Sequence, residues 1–126
     1  MLAEKPLLGL RGRKLQGESL MFALEAEDDE LQASARAAEN GLASKTLVKQ
    51  GPMRITLITL RKGAALQAHQ VEGPSSIQML RGRLKIEMES GDVEIASGQL
   101  VTLAAAVIHK AIALQDCAML LTIIKP

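Results

Sequence analysis

The chain has 126 residues, 48% of them apolar, with 15 basic and 14 acidic side chains and a formal net charge of +1. A chain of this size and apolarity buries one compact core, which excludes disorder as its main state. Near-neutral charge excludes the concentrated basic surface that nucleic-acid binding needs. Cys117 is the only cysteine, so no intrachain disulfide forms and a reducing cytoplasm is the expected location. Met1–Lys14 is broken by Pro6, Gly9 and Gly12 and lacks a signal-peptide core, and the longest apolar run, Leu103–Ile108, is far too short to span a membrane. Phe22 is the only residue among Phe, Tyr and Trp, which argues against stacking platforms and aromatic cages.

In chain order, residues 1–19 read as an N-terminal arm, with Arg11, Arg13 and Lys14 on a solvated, poorly ordered terminus. Residues 20–43 hold an extended segment and a helix. Leu20, Phe22 and Leu24 alternate with smaller or exposed positions. Glu27, Asp28, Asp29 and Glu30 then make an acidic first turn that suits the helix dipole, Leu31, Ala35 and Ala38 follow at helical spacing, and Asn40-Gly41 is a stop. The spacing predicts a helix over about 28–39. The acidic quartet is read as helix-start chemistry, since it lacks the spaced ligands of a calcium loop.

From residue 44 to residue 126 the pattern is β, with short apolar runs separated by turn signals such as Gly51-Pro52, Gly73-Pro74, Ser90-Gly91-Asp92 and Ser97-Gly98. Leu84, Ile86 and Met88 alternate with Arg83, Lys85, Glu87 and Glu89, the mark of an antiparallel strand with one wet face. Ile55–Leu60 and Ala118–Ile124 are apolar on both faces, and a symmetry-related partner subunit is the expected second cover, giving a homodimer. Gly82 is expected in a turn at positive φ, and Arg81 and Arg83 beside it are read as solvated charge on the outside of a hairpin. Met79, Met88 and Met119 are read as core filler and Cys117 as a small buried apolar group.

The β region also carries two spaced motifs. Gly63 is followed after five residues by His69, then Gln70, Val71, three residues, Ser75, six residues and Gly82. Gly98 is followed after five residues by Ala104, Ala105 and Ala106, two residues, His109, three residues and Ala113. In this spacing and order the chain resembles the cupin superfamily, whose motifs read G-x5-H-x-H-x3-E-x6-G and G-x5-P-x-G-x2-H-x3-N. The resemblance implies a mainly β fold, an antiparallel double-sheet jelly-roll barrel of eight to ten strands with one N-terminal helix before it.

In metal-binding members, two histidines and an acid of the first motif and the histidine of the second hold one metal ion. The corresponding positions here are His69, Val71, Ser75 and His109, so two imidazoles remain, expected to face each other across the interior. A divalent transition metal such as Zn, Ni or Fe would rest on His69 and His109, with Gln67, two residues before His69, or Glu72 as an added donor. Period-2 reasoning along the family strands gives a small-molecule pocket lined by Gln67, His69, Val71, Ser75, Ile77, Met79 and His109. Two readings of function stay open: a small-molecule-binding cupin barrel anchored at His69 and His109, and a metal-dependent cupin enzyme of dioxygenase or isomerase type with a reduced ligand set. The sequence assigns no catalytic residue, no nucleic-acid partner and no membrane association.

Overall fold

A computed structural model describes residues 13–69 and 72–126, with residues 68 and 69 known by their backbone alone. One helix, α1 (Leu24–Ala37), precedes nine strands among the described residues: β1 (Leu42–Gln50), β2 (Met53–Leu60), β3 (Ala65–His69), β4 (Ser75–Arg81), β5 (Arg83–Met88), β6 (Val93–Ala96), β7 (Leu100–Leu103), β8 (His109–Ala113) and β9 (Cys117–Ile124). They form two antiparallel sheets, a five-stranded β1-β2-β9-β4-β7 and a four-stranded β3-β8-β5-β6, as the jelly-roll reading expects. Neither sheet closes on itself, so the architecture is a double-sheet sandwich rather than a sealed barrel.

Alternation along the strands builds the core between the sheets. Ile58, Leu60, Ile77, Met79, Cys117 and Met119 from the larger sheet meet Leu84, Ile86, Ile95, Ala111 and Ala113 from the smaller one. The wet-faced strand is β5: Leu84 and Ile86 are fully buried, whereas Arg83 is exposed. One end of the sandwich is closed by short connections. There the amides of Gly63 and Ala113 bond the carbonyls of Ala113 and Ala64. At the opposite end β3 and β5 finish, β4 and β8 begin, and β7 runs into the loop that precedes His109.

The helix begins three residues before the acidic quartet, because Leu24 and Leu31 pack with Leu20 and Phe22 on the outer face of the larger sheet. Alternate burial from Met21 to Leu24 is therefore real, although the segment joins no sheet. The helix ends at Ala37, and Arg61 donates to the carbonyls of Arg36, Ala38 and Glu39 at and just past its C-terminal end, where the last carbonyls lack helical donors.

This packing changes one expectation. The outer face of β2 and part of that of β9 do not wait for a partner subunit. Leu57, Thr59 and Ala118 are at most 2% exposed, and they are covered within the chain by α1, by residues 20–24 and by Leu80. The cover over β2 thus comes from within the chain, whereas Leu120–Ile123 of β9 stay half-buried and Ile124 exposed. The arm is likewise more engaged than expected over its described part. Leu15 accepts a hydrogen bond from the Lys49 amide, Arg13 donates to the Thr46 carbonyl, and the Gly17 amide donates to Gln50 Oε1, so residues 13–17 run along the free edge of β1. The remainder of the expected arm, residues 1–12, lies outside the described residues.

Candidate functional site

The end of the sandwich at which β4 and β8 begin gathers the sequence-predicted residues unevenly. His109, the first residue of β8, is 3% exposed on a strand whose alternate members Ala111 and Ala113 face the core. Its Nδ1 lies 3.2 Å from the Val107 carbonyl. A carbonyl only accepts, so Nδ1–H is the donor in this contact, which orients the ring. His69 ends β3 and is the register partner of His109, while Met88 is its partner on the other side. The two histidine positions are thus neighbours on adjacent strands of one sheet. They do not face each other across the interior, as the barrel reading supposed.

A β-bulge corrects the reading of Gln67. The β3–β8 pairing shifts by one residue between Leu66 and His69. An extra residue breaks the period of two, so a position two before His69 no longer shares its face. Leu66 packs on the core, and Gln67 is exposed. Ile77 and Met79, expected to line a pocket, are each 1% exposed and locked in the central core. Val71 lies outside the described residues, and Glu72 is exposed.

Ser75 remains at the site. It opens β4 on the sheet opposite His109 and sits between Leu103 and Ile123. It is 7% exposed, and its Oγ has no hydrogen-bond partner among the described residues. Leu103, its neighbour on β7, leads into the loop 104–108, which delivers the chain to His109. Ser75 and His109 therefore share one end of the sandwich, one on each sheet.

Ala106 in that loop takes φ +69, the left-handed region that costs an L-residue about 1–2 kcal/mol. Beside it, Ala106, Val107 and Ile108 together with Met88, Glu89 and Ser90 line a groove of about 550 Å³.

The donor chemistry does not fit a resident metal ion. Of the four positions that the family motif uses, one is Val71 and one Ser75, which supply neither imidazole nor carboxylate. Among the described residues no three His, Cys, Asp or Glu side chains converge. A metal site needs about three protein ligands, so no step is derived through a metal here.

Sequence reasoning missed a buried ionic network behind the core. Asp28, 5% exposed on α1, accepts from Arg81 Nε at 2.8 Å, from Arg81 Nη2 at 3.2 Å and from Thr59 Oγ1 at 2.8 Å. Burial alone would raise the Asp28 pKa, but the bonds from Arg81 and Thr59 and the Arg81 charge outweigh it and hold the carboxyl below 3.8. Arg81 is correspondingly pushed up, first by its hydrogen bond to Asp28. Arg81 is thus a tether between sheet and helix, not the solvated charge that its hairpin position suggested. A β-bulge between Met79 and Arg81 swings it to the helix side, opposite Ala118. Nearby Cys117 is fully buried, and burial raises its thiol pKa to about 11, which makes it inert packing.

Comparison with solved structures settles the fold. The chain aligns over 89% of its length with 95% of a cupin superfamily protein from Desulfitobacterium hafniense, at TM-score 0.71 and 17% identity. This is a cupin fold. An RmlC-like cupin from Shewanella frigidimarina aligns over 90% of this chain and 96% of its own, at TM-score 0.68 and 15% identity. A conserved Streptococcus pyogenes protein of unknown function aligns over 90% and 93%, at TM-score 0.69 and 23% identity. No protein-family model matches the sequence, and no curated protein matches it. At these identities the likeness is one of cupin architecture, and the chemistry rests on this chain's own residues.

Proposed function

We propose that this cupin-fold protein binds a small molecule at the end of its sandwich where β4 and β8 begin, with Ser75 and His109 as polar anchors. The reading is carried by the Ser75 hydroxyl, buried and without a partner among the described residues. Leaving such a group unpaired costs about 1–3 kcal/mol, a cost that a ligand's donor or acceptor would remove. His109 supports it from the other sheet as a second buried polar group in an otherwise apolar setting. A few polar groups converging in an apolar setting are the usual mark of small-molecule sites.

The test uses Ser75→Ala. Removal of an unpaired hydroxyl is expected to stabilise the free protein by about 1 kcal/mol in denaturant titration. The same substitution is expected to weaken the binding of small alcohols and primary amides, read by ligand-observed NMR, by about tenfold. His109→Gln weakens the same probes. Probes that bind Ser75→Ala and the unsubstituted protein equally, or no binding at all, would overturn the reading.

A further inference from the structure

A cleft on the outer face of the larger sheet, between α1 and the ends of β2 and β4, gathers three arginines from three different elements. Arg36 comes from the last turn of α1, Arg61 follows β2 and Arg81 ends β4, and all three line one hollow of about 20 Å³ together with Gln32 and Asp116. Two carboxylates answer the three guanidinium groups: Asp28, bound to Arg81, and Asp116, whose Oδ1 accepts from the Lys62 amide. One positive charge is left over, which matches the hollow to a monovalent anion.

The donors are not all spent. Arg81 meets Asp28 through Nε and Nη2, and its Nη1 makes no hydrogen bond among the described residues. A guanidinium held along that edge still offers the end formed by its two Nη groups, a fork spaced for the two oxygens of a carboxylate. Arg36 is exposed, and its side chain makes no hydrogen bond or ion pair among the described residues. Arg61 is committed to the carbonyls at the end of α1, so it contributes charge rather than donors. The hollow has room for about one water-sized group, which admits a carboxylate oxygen and rejects a tetrahedral phosphate. It adjoins a wider pocket of about 380 Å³ that shares Gln32 and Arg81 and adds Leu24, Leu80, Glu25 and Asp29. The acidic side chains there repel any second negative charge on a molecule whose carboxylate reaches Arg81.

We infer that this cleft is a binding site for a small monocarboxylate, separate from Ser75 and His109. The carboxylate lies on Arg36 and the free end of Arg81, and a neutral or cationic body lies beside Leu24, Leu80 and Asp29. The site does not depend on the reading of Ser75 and His109 and stands or falls without it.

The test titrates acetate, β-alanine and malonate at constant ionic strength into the full chain carrying isotope-labelled arginine. The Nε–H resonances of Arg36 and Arg81 are expected to shift together, with β-alanine binding more tightly than acetate and malonate more weakly than either. Arg36→Gln, at an exposed position whose side chain makes no bond, is expected to weaken acetate about fivefold, the ratio for one net hydrogen bond. Arg83→Gln, at an exposed arginine paired to Glu94 and outside the cleft lining, is expected to leave acetate binding unchanged. Chloride that shifts the same two resonances at the same concentrations would mark an adventitious ion only. Malonate bound as tightly as acetate would remove the charge selection. Equal losses from Arg36→Gln and Arg83→Gln would reduce the effect to general surface charge, and no shift with any carboxylate would leave the cleft without a ligand. Each of these four results overturns the proposal.

Discussion

Gly82→Ala, compared with Gly63→Ala, separates two costs that usually arrive together. Both glycines sit at nearly the same backbone angle, φ +80 and φ +88. A side chain there pays about 1–2 kcal/mol for the left-handed conformation, offset by about 0.4–1 kcal/mol from the stiffer unfolded chain, so the conformational cost is about 1 kcal/mol at each. Their surroundings differ. A Cβ on Gly63 meets nothing within 4 Å, whereas one on Gly82 would lie 2.3 Å from the Asp116 carbonyl oxygen and 2.7 Å from Cys117 Cβ. Those atoms lie at the entry to β9 and in its first residue, and its Cys117 and Ala118 are both fully buried, so relief requires a strand to move. Overpacking of this kind adds about 1–3 kcal/mol. Gly63→Ala is expected to cost about 1 kcal/mol and Gly82→Ala about 2–4 kcal/mol, a melting-temperature loss on the order of 10 °C for the latter. Urea unfolding followed by far-ultraviolet circular dichroism measures both, since the chain has no Trp or Tyr to report by fluorescence. Equal losses within about 0.5 kcal/mol would show that β9 yields freely at this contact and that the close approach is not part of the fold's rigidity.

Asp28→Asn is expected to cost roughly 2–4 kcal/mol at pH 7, because it leaves Arg81 and Thr59 facing a neutral amide in a buried setting. The folded pKa of Asp28 is depressed, so its contribution is present above about pH 4 and lost as pH falls through the folded value. Stability measured from pH 7 to pH 2 should fall more steeply in the unsubstituted protein than in Asp28→Asn, and parallel curves would contradict the assignment. Ala106→Gly is expected to stabilise the protein by up to about 1 kcal/mol by relieving φ +69, and a loss in urea unfolding would show that the Ala106 methyl is needed for packing. Cys117, with its pKa near 11 and no exposed surface, should resist a thiol reagent at pH 8 until the chain unfolds, whereas fast modification of the native protein would place it at a mobile surface.

The β architecture, the wet face of β5, the positive φ at Gly82 and the placement of His109 on a core-facing strand were legible in local pattern, because they depend on period-2 alternation, turn chemistry and motif spacing. The even spacing of positions also led to Ser75 at the start of a strand opposite His109. What alternation could not register is a single inserted residue. The bulge before His69 moves Gln67 off the core face, and the bulge before Arg81 turns that side chain from the core side to the outer face of the sheet, where it meets Asp28. Nor could local pattern say what covers a sheet face that is apolar on both sides. Ile55–Leu60 looks the same whether a partner or the chain's own helix lies over it, and only the long-range return of α1 onto β1 and β2 decides. The Asp28–Thr59–Arg81 network joins residues 31 and 53 positions apart, so its partners become visible only once the tertiary structure brings helix and sheet together in a buried space where a lone carboxylate would be untenable.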